Sequence, residues 1–238
     1  MVLWDPVTGE NKVTLVRASN FPEDVVFSPA GDLIASAGDD KLVRVWDAAT
    51  LELKRTLDGH TASLTRVAFS PDGQLLASGG EDAKVVLWDS ITGEQQRELT
   101  WNKGKLFDLI FSWDEGKLLD LAFSPDGSML ATTSDDGKVR LWDVETGAVI
   151  HTIRLAKYGG ITSDIESISF SADGRMLAGA GGTFGEPARV WDTSTGELKR
   201  VFPPAAGRVE SVAFSPADGK LLATGSSGGT VFLWKVPD

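Results

Sequence analysis

Apolar and polar residues alternate along most of this chain in short runs separated by tight turns. The stretch from Leu64 to Leu99 shows the unit. Leu64-Thr65-Arg66-Val67-Ala68-Phe69-Ser70 alternates as a half-buried strand does, and Pro71-Asp72-Gly73 then turns the chain. Leu75 to Gly79 predicts a second strand, Lys84 to Trp88 a third and Gln96 to Leu99 a fourth, with turns at Glu81-Asp82 and Ile91-Thr92-Gly93-Glu94. Four short strands make a small antiparallel sheet that cannot bury both its faces alone. The unit recurs, however. Trp46, Trp88, Trp142, Trp191 and Trp234 each close a third-strand phrase such as Val43-Arg44-Val45-Trp46-Asp47, and Trp4 closes a sixth. The spacing from Trp46 to Trp88 is 42 residues, the period of a repeat array in which stacked sheets cover one another.

The ordered phrases Ser-Pro-Asp-Gly, Leu-Ala-Ser-Gly and Leu-Trp-Asp resemble the WD40 family over nearly the whole chain. The resemblance implies an all-β propeller of four-stranded antiparallel blades, occupying residues 1–238 as one domain. It also implies a side-chain network in each repeat. His60, Ser78, Asp82 and Trp88 match all four of its positions, so that indole, hydroxyl, imidazole and carboxylate satisfy one another. A hydrolase triad is the competing reading of Ser, His and Asp, but the recurrence with a Trp attached favours the structural network. The first repeat keeps Ser36, Asp40 and Trp46, and the third keeps Thr132, Asp136 and Trp142. Gly185 and Gly228 stand at the Asp position of the fourth and fifth, which are expected to be held least firmly.

Register bears on the ends. Phe27 follows Trp4 by 23 residues and precedes Trp46 by 19, as within a regular period, so Trp4 belongs to a genuine third strand and residues 12–17 to a fourth. The expected architecture has five blades, with residues 12–17 closing the last. Residues 1–5 are then a surplus third strand. They lie displaced on the surface, or exchange between chains in a homo-oligomer, or mark the chain as part of a longer propeller.

Two spacings are irregular. Trp88 to Trp142 is 54 residues, because residues 108–116 and 120–127 are near copies offset by 12. The inner strand is expected at 118–124, with 106–112 looped in as the alternative. The additional copy near 106–117 carries Phe107 and Trp113, with Trp101 just before it. These aromatics either pack on their own domain or bind another chain. Trp142 to Trp191 is 49 residues, and the excess falls in loops around Tyr158 and Phe184.

Composition narrows the function. The 238 residues carry a net charge of −11, which argues against nucleic acid or an anionic membrane as partner. There is no cysteine, and the two histidines, His60 and His151, lack ligand spacing. No metal, cofactor or catalytic residue is therefore expected. No leader and no apolar run long enough to span a membrane is visible, which suits a cytoplasmic protein. The acids fall in turns, at Asp39-Asp40, Glu81-Asp82 and Asp135-Asp136. The expected function is a non-enzymatic scaffold that binds other proteins through rim loops, with a basic patch on the partner. Phe21, Tyr158 and Phe184 are the candidate anchors. A self-assembling architectural module is the alternative.

Overall fold

The computed structural model describes residues 2–4, 7–9, 11–14, 21–101, 116–154, 164–182, 186–203, 207–217 and 219–236. Among these residues every regular element is a strand. The strands form five antiparallel sheets of propeller-blade topology, four with four strands and one with three, plus one hairpin. The chain divides into two compact units, residues 1–98 and 99–238.

The first unit opens with the hairpin β1 (Val2–Trp4) and β2 (Asn11–Thr14). Sheet one follows, with β3 (Pro22–Phe27), β4 (Leu33–Gly38), β5 (Val43–Asp47) and β6 (Leu53–Leu57). Sheet two holds β7 (Leu64–Phe69), β8 (Leu75–Gly80), β9 (Lys84–Asp89) and β10 (Gln95–Thr100). In the second unit, sheet three comprises β11 (Leu118–Phe123), β12 (Met129–Ser134), β13 (Lys138–Asp143) and β14 (Val149–Arg154). Sheet four comprises β15 (Ser167–Phe170), β16 (Met176–Ala180), β17 (Ala188–Asp192) and β18 (Leu198–Phe202). Sheet five holds β19 (Val209–Phe214), β20 (Leu221–Ser226) and β21 (Thr230–Lys235). The inner strand of sheet three is thus 118–123, as the first of the two readings expects, and its near copy lies outside the described residues.

The turns repeat one piece of chemistry. Ser70 Oγ donates to Asp72 Oδ1 at 2.6 Å and accepts from Leu75 N at 2.9 Å. Ser124 with Asp126 and Ser171 with Asp173 do the same. The Asp after Trp46, Trp88, Trp142 and Trp191 caps the next turn: Asp89 Oδ1 accepts from Ile91 N and Thr92 N. The backbone N–H groups of Ala49, Thr50, Ile91 and Thr92 and the Lys54 ammonium use such carboxylates in this way around Asp47 and Asp89. For Asp47 the Thr50 N–H and the Lys54 ammonium hold the acid far below the ordinary range.

Sheets stack through their alternating faces. In the first unit Ala35, Val43, Val45 and Leu57 of sheet one pack against Val67, Leu76, Val86 and Trp88 of sheet two. In the second unit Trp191 and Phe170 of sheet four pack on Val139 and Leu141 of sheet three, and Val212, Phe214 and Trp234 of sheet five pack on Ala178, Val190 and Phe202 of sheet four. Hydrogen bonds lace each seam: Asp24 Oδ2 accepts from Val67 N at 2.9 Å, Asp120 Oδ2 from Ile168 N at 2.8 Å, and Ser167 Oγ from Val212 N at 3.2 Å.

The amino-terminal hairpin has the register of a third and fourth strand. Trp4 faces Asn11 and Leu3 faces Val13 across a bulge, just as Trp46 faces Leu53 and Val45 faces Arg55. The expected pairing of residues 12–17 with the last sheet differs from the described one. Asn11–Thr14 is already paired with Val2–Trp4 around the Val7-Thr8-Gly9 turn, and the described partner of β21 is β20.

Candidate functional site

The network expected in the second repeat is present in full. Trp88 Nε1 donates to Ser78 Oγ at 2.8 Å, and Ser78 Oγ lies 2.8 Å from His60 Nε2. His60 Nδ1 lies 3.0 Å from Asp82 Oδ2, which also accepts from Thr61 N at 2.9 Å. With a neutral imidazole the proton order runs from Trp88 N–H to Ser78, from the Ser78 O–H to His60 Nε2, and from His60 Nδ1–H to Asp82. Burial would raise the Asp82 acid, but the hydrogen bonds from His60 and Thr61 outweigh it and hold the group below its ordinary value. Ser, His and Asp are linked here in the order of a nucleophilic triad. The serine is fully buried, though, and its oxygen already receives an indole proton, so no substrate carbonyl can reach it.

The first, third and fourth repeats, which lack the His, solve the same problem with arginine. Arg140 Nη2 pairs with Asp136 and Arg140 Nη1 donates to Ser134 Oγ, while Trp142 Nε1 donates to Thr132 Oγ1 at 2.9 Å. Burial alone would raise Asp136, yet Arg140, Lys138 and Ser134 together bring its pKa to about 2. Arg44 pairs with Asp40 at 2.6 Å in the first repeat, where Ser36 and Trp46 are buried. In the fourth, Arg189 pairs with Glu186 at 2.6 Å, so the residue after Gly185 supplies the missing carboxylate. The arginine stands two positions before the Trp in three repeats lacking His, and Val86 stands there in the repeat that has one. That complementarity is visible in the sequence but only the contacts give it meaning. In the fifth repeat Phe232 takes the place, stacked on Trp234, whose Nε1 donates to Thr224 Oγ1 at 2.9 Å.

The network also ties loops into a surface. In the first unit Asp39 N donates to Phe21 O, Lys41 Nζ to Thr61 O at 2.9 Å, Thr61 N to Asp82, and Glu81 N to Ser63 O. Phe21 is therefore anchored by its backbone while its ring stays exposed. Asp39, Asp40, Asp58 and Glu81 are exposed in the same loops. Of the other aromatic candidates, Phe107, Trp113, Tyr158 and Phe184 lie outside the described residues. Trp101 is half-buried in its own unit, 6.1 Å from the Trp142 ring and beneath Arg140 at 5.2 Å. His151 lies on an outer strand, with Nε2 2.9 Å from Ser194 O. Among the described residues no group of three or more His, Asp and Glu is placed to hold a metal ion. No helix among them is long and apolar enough to cross a membrane.

Comparison with known proteins agrees with this geometry. The WD domain, G-beta repeat of the WD40 family matches residues 14–47, 51–89, 108–143 and 196–235, more than half of the chain. Similar proteins include the guanine nucleotide-binding protein subunit beta of Arabidopsis thaliana, 36% identical over 116 residues, which cover 46% of this chain and 29% of that protein. Human apoptotic protease-activating factor 1 is 31% identical over 114 residues, 45% of this chain and 8% of its own length. The chain thus spans less than a third of the length of these relatives. The unmatched stretch 144–195 contains the first three strands of sheet four, where Gly179 replaces the hydroxyl residue and lies so close to Trp191 that a Cβ there would meet the ring at 2.8 Å. With repeated sheets, shared turn chemistry and matching sequence over most of its repeats, this chain belongs to the WD40-repeat family.

Proposed function

We propose that this protein is a non-enzymatic scaffold that binds other proteins through its rim loops. One observation carries the reading. The residues that could do nucleophilic chemistry are spent, buried, on joining loops to sheets, and the loops they join present an exposed aromatic ring among exposed acids. Phe21 is the anchor, and Asp39, Asp40, Asp58 and Glu81 favour a partner with a basic patch. The net charge of −11 disfavours nucleic acid and anionic membranes as competitors for that surface. The cytoplasm is the proposed location. Relatives named as a guanine nucleotide-binding protein subunit and a protease-activating factor support a binding role in general terms.

The test is affinity capture with the full chain, comparing wild type with Phe21→Ala and with Asp39→Lys plus Glu81→Lys. Loss of an aromatic anchor should weaken the retained partners by roughly 30-fold, equivalent to about 2 kcal/mol. The charge variant should abolish the dependence of capture on salt. Partners retained with unaltered affinity by both variants would refute the rim surface.

A further inference from the structure

Sheets three and four carry the same third-strand pair, an arginine with a tryptophan two residues on, but they satisfy it differently. In sheet three Trp142 Nε1 donates to Thr132 Oγ1 and Arg140 Nη1 donates to Ser134 Oγ, each at 2.9 Å. The strand registers place Gly179 and Gly181 of sheet four where Thr132 and Ser134 stand in sheet three. Neither position can regain its hydroxyl without a shift. A Cβ at Gly179 would meet the Trp191 ring at 2.8 Å, and one at Gly181 would meet Glu166 N at 2.5 Å. Glu186 occupies Arg189 Nη2 at 2.6 Å, but Nη1 is buried with no hydrogen-bond partner among the described residues. Sheet four therefore holds two strong donor groups on its third strand, and the hydroxyl acceptors that serve their counterparts are missing. A buried donor without an acceptor is costly, and an acceptor from outside the chain relieves it.

Both residues border a cavity of about 450 Å³ between the outer strands of sheets three and four. His151, Ile153 and Arg154 of β14 form one side, and Arg189, Trp191 and Leu198 of β17 and β18 form the other. The seam between sheets one and two shows why space is left here. By register Arg55 and Leu57 are the counterparts of His151 and Ile153. Both lie against Gly93, whose added Cβ would meet Leu57 at 2.8 Å and Arg55 at 2.9 Å. At the equivalent Gly196 the nearest atoms all belong to His151, at 3.2–3.4 Å, and that ring is held by Ser194 O, 2.9 Å from Nε2. A shorter, pinned side chain thus stands where an arginine fills the other seam. The volume falls in the range of about 300–1,000 Å³ that small-ligand sites occupy. Leu198 is 51% exposed, so the apolar wall it forms with Ile153 and Trp191 can be reached from solvent.

We propose that this cavity binds an organic carboxylate with a short apolar body, its oxygens on Arg189 and Arg154 and its apolar part against Ile153, Trp191 and Leu198. A carboxylate is planar, accepts at both oxygens and matches the guanidinium fork. Inorganic phosphate or sulfate would engage the arginines but leave the apolar wall uncovered. The Arg189 side chain keeps 16% of its surface exposed, so a small turn of the guanidinium brings Nη1 to the ligand while Glu186 keeps Nη2. Two sources share this chemistry, a free apolar acid and the chain end of a peptide with an apolar last residue. The site lies wholly in the second unit and does not depend on the rim loops around Phe21.

The probe is benzoate, titrated into the full chain and followed by calorimetry and by the indole N–H resonances. Binding should saturate below about 10 mM and move one indole resonance, the one that Trp191→Phe removes. Benzamide has the same shape without the charge and should bind at least ~10-fold more weakly. Arg154 is exposed, so Arg154→Glu should keep the circular dichroism of the wild type and lose at least ~10-fold in benzoate affinity. Arg189→Met should abolish binding. A second arm compares the peptide Gly-Gly-Phe with its carboxyl-terminal amide. The acid peptide binding more tightly than benzoate assigns the site to a chain end, and the reverse order assigns it to a free acid; both keep the proposal. Failure of benzoate to saturate the wild type below about 10 mM would overturn it. So would equal binding of benzamide, or a folded Arg154→Glu protein that binds benzoate as the wild type does.

Discussion

Replacing Ser78 with alanine isolates the central link of the second repeat. The hydroxyl accepts from Trp88 Nε1 and donates to His60 Nε2, both at 2.8 Å, in a site where Ser78 has no exposed surface. Alanine leaves an indole donor and an imidazole acceptor without partners. Each orphaned buried group costs about 1–2 kcal/mol, so the variant should lose roughly 2–4 kcal/mol. With a urea slope near 2 kcal/mol/M, the midpoint should fall by about 1–2 M. Ser78→Thr is the control, because Thr132 serves Trp142 Nε1 at 2.9 Å in the third repeat. It should cost less than about 1 kcal/mol, the strain of one added methyl. Denaturation followed by tryptophan emission measures both, and exchange of the Trp88 indole proton gives a local readout. The reasoning fails if alanine falls within about 0.5 kcal/mol of wild type, or if threonine is as damaging as alanine.

Arg140→Leu should cost about 3 kcal/mol in urea unfolding, because it strips the main partner from the half-buried Asp136 carboxylate and leaves Lys138 to neutralise it. Asp136 also makes stability depend on pH. Its folded pKa of about 2 lies below the unfolded value, so its contribution is present above about pH 4 and is lost as pH falls through about 2. That contribution is roughly 2 kcal/mol, and Asp136→Asn should flatten the acid limb of a stability–pH curve. Gly80→Ala should be among the most damaging glycine changes, near 3 kcal/mol or more by thermal unfolding, since its Cβ would sit 2.0 Å from Ser63 O. Gly31→Ala should cost only about 1 kcal/mol, because its φ of +74° is the sole obstacle and nothing lies within 4 Å.

The strands and turns were legible because each depends on neighbours in sequence. Ser70, Asp72 and Gly73 form their turn through contacts spanning five residues or fewer. The His60 network joins residues 28 apart, yet it was legible too, because the repeat places its four side chains at recognisable positions. The arginine pairs are not legible in the sequence. Arg44, Arg140 and Arg189 look like solvent-facing residues of an alternating strand, and only the close approach to Asp40, Asp136 and Glu186 shows that they turn inward. Glu186 is hidden for a related reason, since it sits one residue past the position the repeat reserves for an acid. The partner of residues 12–17 depended on pairing across the whole chain, which register alone leaves open. Trp101 was ambiguous between surface and core until Trp142 and Arg140 were placed around it.

The exchange of histidine for arginine explains how the repeat tolerates loss of its most specific residue. A blade needs its turn carboxylate fixed against the third strand, because Thr61 N in the second repeat and Lys138 Nζ in the third both lean on that group. Histidine reaches it from the loop before the first strand, and then Val86 can fill the third-strand position with apolar bulk. Arginine reaches it from the third strand itself. The consequence is a division of labour among loops. The loop at His60 is bound into the scaffold by Asp82, and its neighbour Thr61 carries the Lys41 contact. At sheet one Asp40 is held by Arg44 instead. Phe21 stands just before β3 with its ring in solvent and its carbonyl held by Asp39 N, the arrangement a rigid scaffold needs to offer a side chain to a partner.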